Sequence, residues 1–92
     1  MRFLADEAIS VPGSDDCIVL ADRMATTDRR GNLMRLRPDG SEVWRLDAPS
    51  GVGDLWTEVR LEGDEVIANS WSGYLVRIDL ATGQERERTF TK

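Results

Sequence analysis

The 92-residue sequence predicts an all-β chain of two four-stranded antiparallel sheets. Apolar and polar residues alternate along most of its length, and no segment carries the 3.6-residue period of a helix. Turn signals built on Gly, Pro and Asp recur between the alternating runs, among them PGSDD at 12–16, DG at 39–40 and EGD at 62–64. Finally, the chain nearly repeats itself: Gly31 to Leu46 reads GNLMRLRPDGSEVWRL, and Gly73 to Thr89 reads GYLVRIDLATGQERERT.

Aligned on Gly31 and Gly73, Leu33 meets Leu75, Met34 meets Val76, Arg35 meets Arg77, and Leu36 meets Ile78. A one-residue gap in the following turn brings Gly40 onto Gly83 and Glu42 onto Glu85. A spacing of about 42 residues is the length of one four-stranded propeller blade. The expected organisation is one domain over residues 1–92, with a propeller-type blade at 6–47, a linker at 48–54 and a second blade at 55–91. A β-sandwich is the alternative arrangement of eight short strands.

The elements follow in order. Residues 8–11 place Ile9 and Val11 on one face of a first strand, and 12–16 turn. Residues 17–21, CIVLA, are apolar on both faces, the mark of a strand buried on both sides. Residues 23–30, RMATTDRR, are polar and irregular and read as a long loop. Residues 33–37 alternate with Met34 and Leu36 on one face, and Asp39-Gly40 is a hairpin signal. Residues 42–47 put Trp44 and Leu46 on one face and Val43 and Arg45 on the other. Residues 48–54, the segment richest in Gly and Pro, separate the halves.

The second half runs alike. Residues 56–61 alternate with Thr57, Val59 and Leu61 on one face, 62–64 turn, and 66–70 form the next strand. Trp71-Ser72-Gly73 is a short connection where the first half has its long loop. Residues 74–79 turn Tyr74, Val76 and Ile78 inward. Residues 85–90 open with Glu85-Arg86-Glu87-Arg88, an alternation of charge that suits a solvated outer edge. Each half thus grades from a doubly apolar second strand to a half-polar fourth, as a blade does from axis to rim.

Composition narrows the functional classes. Twelve basic against 17 acidic side chains give a net charge of −5, so phosphate backbones are repelled and no nucleic-acid partner is expected. No run approaches the length of a membrane span, and the N-terminus lacks the apolar core of a signal peptide. The lone Cys17 lies in an apolar run, where an inert buried thiol is expected. Together these predict a soluble cytoplasmic protein. The absence of histidine removes Ser-His and Cys-His catalysis and a zinc staple. No catalytic residue, metal or cofactor is expected.

GYLVRIDLATG at 73–83 resembles the repeat of the pyrroloquinoline-quinone-type β-propellers, in which a glycine opens a strand ending in aspartate and Thr-Gly makes the next turn. Gly73, Asp79, Thr82 and Gly83 match. Trp44, four residues after Gly40, is similar to the tryptophan that docks one such blade on the next. The first repeat has Arg37 at the aspartate position and the second has Glu87 at the tryptophan position, so each copy carries half the pattern. The resemblance implies a blade shape and no quinone site.

Two stacked blades leave two outer faces, both expected to be apolar and in need of cover. Small two-bladed lectins, similar to this chain in length and repeat count, close such faces by trimerising. A cyclic homo-oligomer, a trimer in the simplest case, is therefore expected, with Phe3 and Leu4 supplying a closing strand.

The best-placed interaction surface is the long loop bearing Arg23, Asp28, Arg29 and Arg30, with the linker, because loops carry recognition. The expected function is a non-enzymatic protein-interaction or scaffold module. The alternative is a small-ligand or carbohydrate binder using Trp56, Trp71 and Tyr74, aromatics that otherwise serve inter-blade packing. Asp15 and Asp16 read as turn caps, Asp22 and Asp28 as solvated loop acids.

Overall fold

The computed structural model describes residues 5–21, 31–51 and 54–91. They form eight strands: β1 (Ala5–Ser10), β2 (Cys17–Ala21), β3 (Leu33–Leu36), β4 (Glu42–Leu46), β5 (Trp56–Glu62), β6 (Glu65–Ser70), β7 (Tyr74–Asp79) and β8 (Glu85–Phe90). These make two antiparallel four-stranded sheets, ordered β1-β2-β3-β4 and β5-β6-β7-β8. Each sheet is a meander in which strands consecutive in sequence pair side by side. The positions calling for Phe3 and Leu4, and the loop with Arg23, Asp28, Arg29 and Arg30, lie outside the described residues.

The pairing register fixes which side chains share a face. In the first sheet Ile9 pairs with Ile18, Ile18 with Arg35 and Arg35 with Trp44, while Leu20 pairs with Leu33 and Leu33 with Leu46. In the second, Val59–Ala68–Val76 and Leu61–Val66–Ile78 form the corresponding rows. Ile18, Leu20, Leu33, Trp44, Val59, Val66, Ala68, Val76 and Ile78 belong to one buried cluster, with Ile9, Leu46 and Leu61 packed against it. One face of each sheet therefore meets in a single core. Each aliphatic side chain fully buried there contributes about 1.5–3 kcal/mol.

Trp56 departs from simple alternation. A register shift between Trp56 and Glu58 inserts an extra residue, so Trp56 and Val59 are buried and Thr57 is exposed. The bulge takes Thr57 off the face that strict alternation assigns it and gives that face Trp56.

The two copies of the repeat face opposite ways. Leu33 and Arg35 point toward the second sheet, and their counterparts Leu75 and Arg77 point away from the first. Met34 and Leu36 point away from the second sheet, while Val76 and Ile78 point toward the first. The sheets pack front to back, with one side of the first on the other side of the second. Met34 and Ile67, 6% and 1% exposed, are buried yet stand outside the shared core, one on each outward face.

Those outward faces differ, and this corrects the expectation that both are apolar. The first sheet turns Ala8, Cys17, Val19, Met34 and Leu36 outward, with the Arg45–Glu42 ion pair (2.7 Å) beside them on β4. The second turns out Arg60, Glu62, Glu65, Arg77 and Glu87 around Ile67. Arg77 reaches Glu65 at 3.0 Å, Glu87 at 3.5 Å and Glu62 at 3.8 Å, and Arg60 reaches Glu62 at 2.9 Å. Long charged side chains cover the apolar stem beneath them while their heads stay in water.

Polar ties join the sheets across the core. The Asn32 amide donates to the carbonyls of Ala21 (3.1 Å) and Trp56 (2.9 Å) and accepts the Trp56 N–H at 2.9 Å. The Trp56 indole donates to Leu46 O at 3.1 Å. From the first sheet, the Trp44 indole and the Arg35 guanidinium both donate to Leu80 O, at 2.9 and 3.0 Å. Trp44 lies flat enough on Gly83 that a Cβ at position 83 would stand 2.6 Å from its Cγ.

Candidate functional site

One end of the second sheet carries the two large apolar side chains that are strongly exposed among the described residues, Trp71 at 66% and Phe90 at 57%. Trp71 opens the β6–β7 turn, and Phe90 closes β8 opposite Tyr74, the first residue of β7. The Tyr74 and Phe90 rings stand 5.2 Å apart and tilted by 59°. The Arg88 guanidinium lies 5.5 Å from the centre of the Tyr74 ring, a cation–π placement. Glu85 holds Arg88 there through two hydrogen bonds of 3.1 and 2.7 Å, which also raise the arginine pKa.

A hydrogen-bonded clasp fixes the turn. Ser72 donates to Asp54 through its backbone N–H (3.0 Å) and its hydroxyl (2.6 Å), and the Ser72 and Ser70 hydroxyls lie 2.9 Å apart. Ser70 Oγ in turn accepts the Tyr74 N–H at 3.1 Å, and Leu55 O accepts the Trp71 N–H at 2.8 Å. On the far side, Thr91 donates its N–H and hydroxyl to Gly73 O, at 2.7 and 2.8 Å. The end of β8 is thereby fastened to the turn that bears Trp71.

Asp54 sits below the usual carboxylate range. Its burial favours the neutral acid, but the Ser72 hydroxyl and the N–H groups of Ser50, Leu55 and Ser72 together outweigh that. The Asp54–Ser72–Ser70 chain of hydrogen bonds orders the turn.

A second polar group gathers at the opposite end of the sheet. Arg86 donates to Asp64, Glu65 and Asp79, the last at 2.9 Å. That bond, with the N–H groups of Ala81 and Thr82, holds Asp79 below its ordinary pKa. The guanidinium occupies the centre of this acidic set. Among the described residues no group of three or more His, Cys, Asp or Glu side chains is arranged to hold a metal ion.

The candidate residues separate accordingly. Trp71 and Tyr74 flank the β6–β7 turn, and Phe90 and Arg88 meet Tyr74 at the same end of the sheet. Trp56 starts β5 at the same end of the sheet, opposite Ser70, but is 3% exposed and belongs to the core. Asp16, read from the sequence as a turn cap, binds Arg35 at 2.9 Å. Arg88 and Phe90 carried a signal that passes unnoticed in a strand read as a charged edge: they sit at alternate positions, on the same face as Tyr74. Asn32 carried none, since an Asn beside a Gly reads as loop.

A family model described as Domain of unknown function (DUF7957) matches residues 7–90. The chain belongs to this family. The DUF7957 match begins within β1 and ends on the last residue of β8, so it takes in both sheets and the aromatic end. No curated protein and no solved structure matches the chain. No helix is long and apolar enough to cross a membrane among the described residues.

Proposed function

We propose that the chain is a non-catalytic binding module that recognises a protein partner through the aromatic end of its second sheet. The observation behind this reading is the exposure of Trp71 and Phe90 at the end of the sheet that also carries Tyr74 and Arg88. Trp, Tyr and Arg are the residues that most often dominate interface energetics, and here they stand on clasped backbone that loses little freedom on binding. The front-to-back relation of the repeats and the seat of Trp44 on Gly83 support reading the sheets as propeller-type blades, with the partner engaged at a blade end.

The test is affinity purification from the native host with the intact chain and with the Trp71→Ala/Phe90→Ala variant. A specific co-purifying protein that disappears with the variant, at unchanged melting temperature, is expected. Equal recovery by both chains overturns the reading. A carbohydrate or other small ligand would instead shift tryptophan fluorescence in a glycan and metabolite panel without any protein co-purifying.

A further inference from the structure

We infer that the partner engaged at the aromatic end enters as an extended segment, which adds a fifth strand to the second sheet along the outer edge of β8. The inference rests on the partner-binding reading and names the form and charge of the segment recognised. Among the described residues β8 is the last strand of its sheet, pairs only with β7 and is exposed along its whole length.

The hydrogen-bond pattern identifies the residues that serve this edge. Thr91 donates its N–H inward, to Gly73 O. Antiparallel strands alternate bonded and non-bonded pairs. Thr89, opposite Leu75, and Glu87, opposite Arg77, therefore also turn their N–H and C=O groups toward β7. Arg88 and Phe90 alternate with them and turn theirs away from the sheet. These same two residues set their side chains against Tyr74. One pair of residues thus offers both free backbone groups and an exposed aromatic surface. Strand addition uses both, main-chain bonds for affinity and alternate side chains for specificity.

Charge selects the occupant. Odd positions of β8 carry Glu85 and Glu87, and even positions carry Arg86 and Arg88. Two β8 strands related by a two-fold axis oppose odd to odd and even to even. Any such register that overlaps the charged halves sets Glu against Glu or Arg against Arg, which is destabilising. A second copy is therefore a poor occupant. The segment that fits belongs to another protein and carries the reverse order of charge. It places an apolar side chain opposite Phe90, an acidic one opposite Arg88 and a basic one opposite Glu87. Glu85 engages Nε and Nη2 of Arg88, so the acid is received at Nη1.

Two synthetic peptides test this by amide exchange measured by NMR on the full chain at millimolar peptide. Thr-Ile-Thr-Glu-Lys-Glu-Lys presents the required charges in antiparallel register, and Thr-Ile-Thr-Lys-Glu-Lys-Glu exchanges them. The first is expected to bind more tightly and to slow exchange at the Arg88 and Phe90 amides severalfold, leaving Thr89 and Glu87 unchanged. Arg88→Pro removes an outward N–H and should weaken this binding about tenfold relative to Arg88→Ala. Should Arg88→Pro not fold, the exchange pattern of the unmodified chain decides alone. Binding by neither peptide, equal binding by both, or binding without slower exchange at Arg88 and Phe90 overturns the inference. A co-purifying protein lost with Trp71→Ala/Phe90→Ala but recovered equally by Arg88→Pro and Arg88→Ala also overturns it, and leaves the partner-binding reading standing.

Discussion

At position 83 two constraints that elsewhere occur singly fall on one residue. Gly83 has a φ of 77°, and a Cβ there would run into the Trp44 ring. Gly63 has a φ of 60° and open space around it. Gly63→Ala should therefore cost only backbone strain, about 1–2 kcal/mol. Gly83→Ala adds displacement of a core indole, for a total of about 2–5 kcal/mol. Thermal melting of the two variants measures the difference. Asn32 makes a comparable case with hydrogen bonds. Asn32→Ala strips partners from the Trp56 N–H and carbonyl inside the core, and should cost about 2–3 kcal/mol. Asn32→Asp should cost at least as much, because its carboxylate faces the Trp56 carbonyl that the amide served as a donor.

At the scale of elements, the β6–β7 turn links the candidate surface to pH. Hydrogen bonds lower the Asp54 pKa in the folded chain, so its stabilisation is present above the unfolded-state pKa near about 4 and is lost as pH falls through the folded value. Asp79 adds in the same direction through Arg86. The melting temperature is expected to hold above about pH 5 and to drop below about pH 4. Asp54→Asn should be less stable at neutral pH and show a shallower acid drop, which melts across a pH series will reveal.

The elements themselves were largely legible. The doubly apolar run placed β2 and the alternation of charge placed β8 to the residue, and turn chemistry placed the connections in the second sheet, because these signals are local. The bulge at Thr57 was not legible, since one extra residue leaves the polar–apolar pattern intact while changing which side chain it delivers to the core. Nor was the clasp, because Asp54 and Ser72 meet only after the linker and the turn come together. Of the candidate aromatics, Trp71 and Tyr74 could be grouped by their closeness in sequence. Separating them from Trp56 required knowing which side of a sheet the other sheet covers.

For the molecule as a whole, the core and the ties across it join the sheets, and the surface ion pairs do not. Trp44→Ala removes the largest side chain at the junction and should cost about 3–5 kcal/mol. That is a large share of the ~5–15 kcal/mol that stabilises an ordinary domain. Both sheets should then melt together at a lower temperature, with circular dichroism and the fluorescence of the remaining tryptophans changing in one transition. Glu87→Gln, at the corresponding repeat position on the charged face, should change stability by less than about 0.5 kcal/mol.

Front-to-back packing also gives the molecule a direction. A pile of identical sheets stacked this way has no natural end, since each exposes the surface that receives the next, and proteins built so become rods unless something stops them. Here the outward face of the second sheet carries Glu87 where the first copy of the repeat has Trp44, ringed by Arg60, Arg77 and their carboxylates. The position at which the two copies of the repeat differ most thus stands at the centre of this charged face. A chain given Trp at 87 and apolar residues at 60 and 77 would trade this charged cover for an apolar surface and is expected to self-associate, which sedimentation will measure.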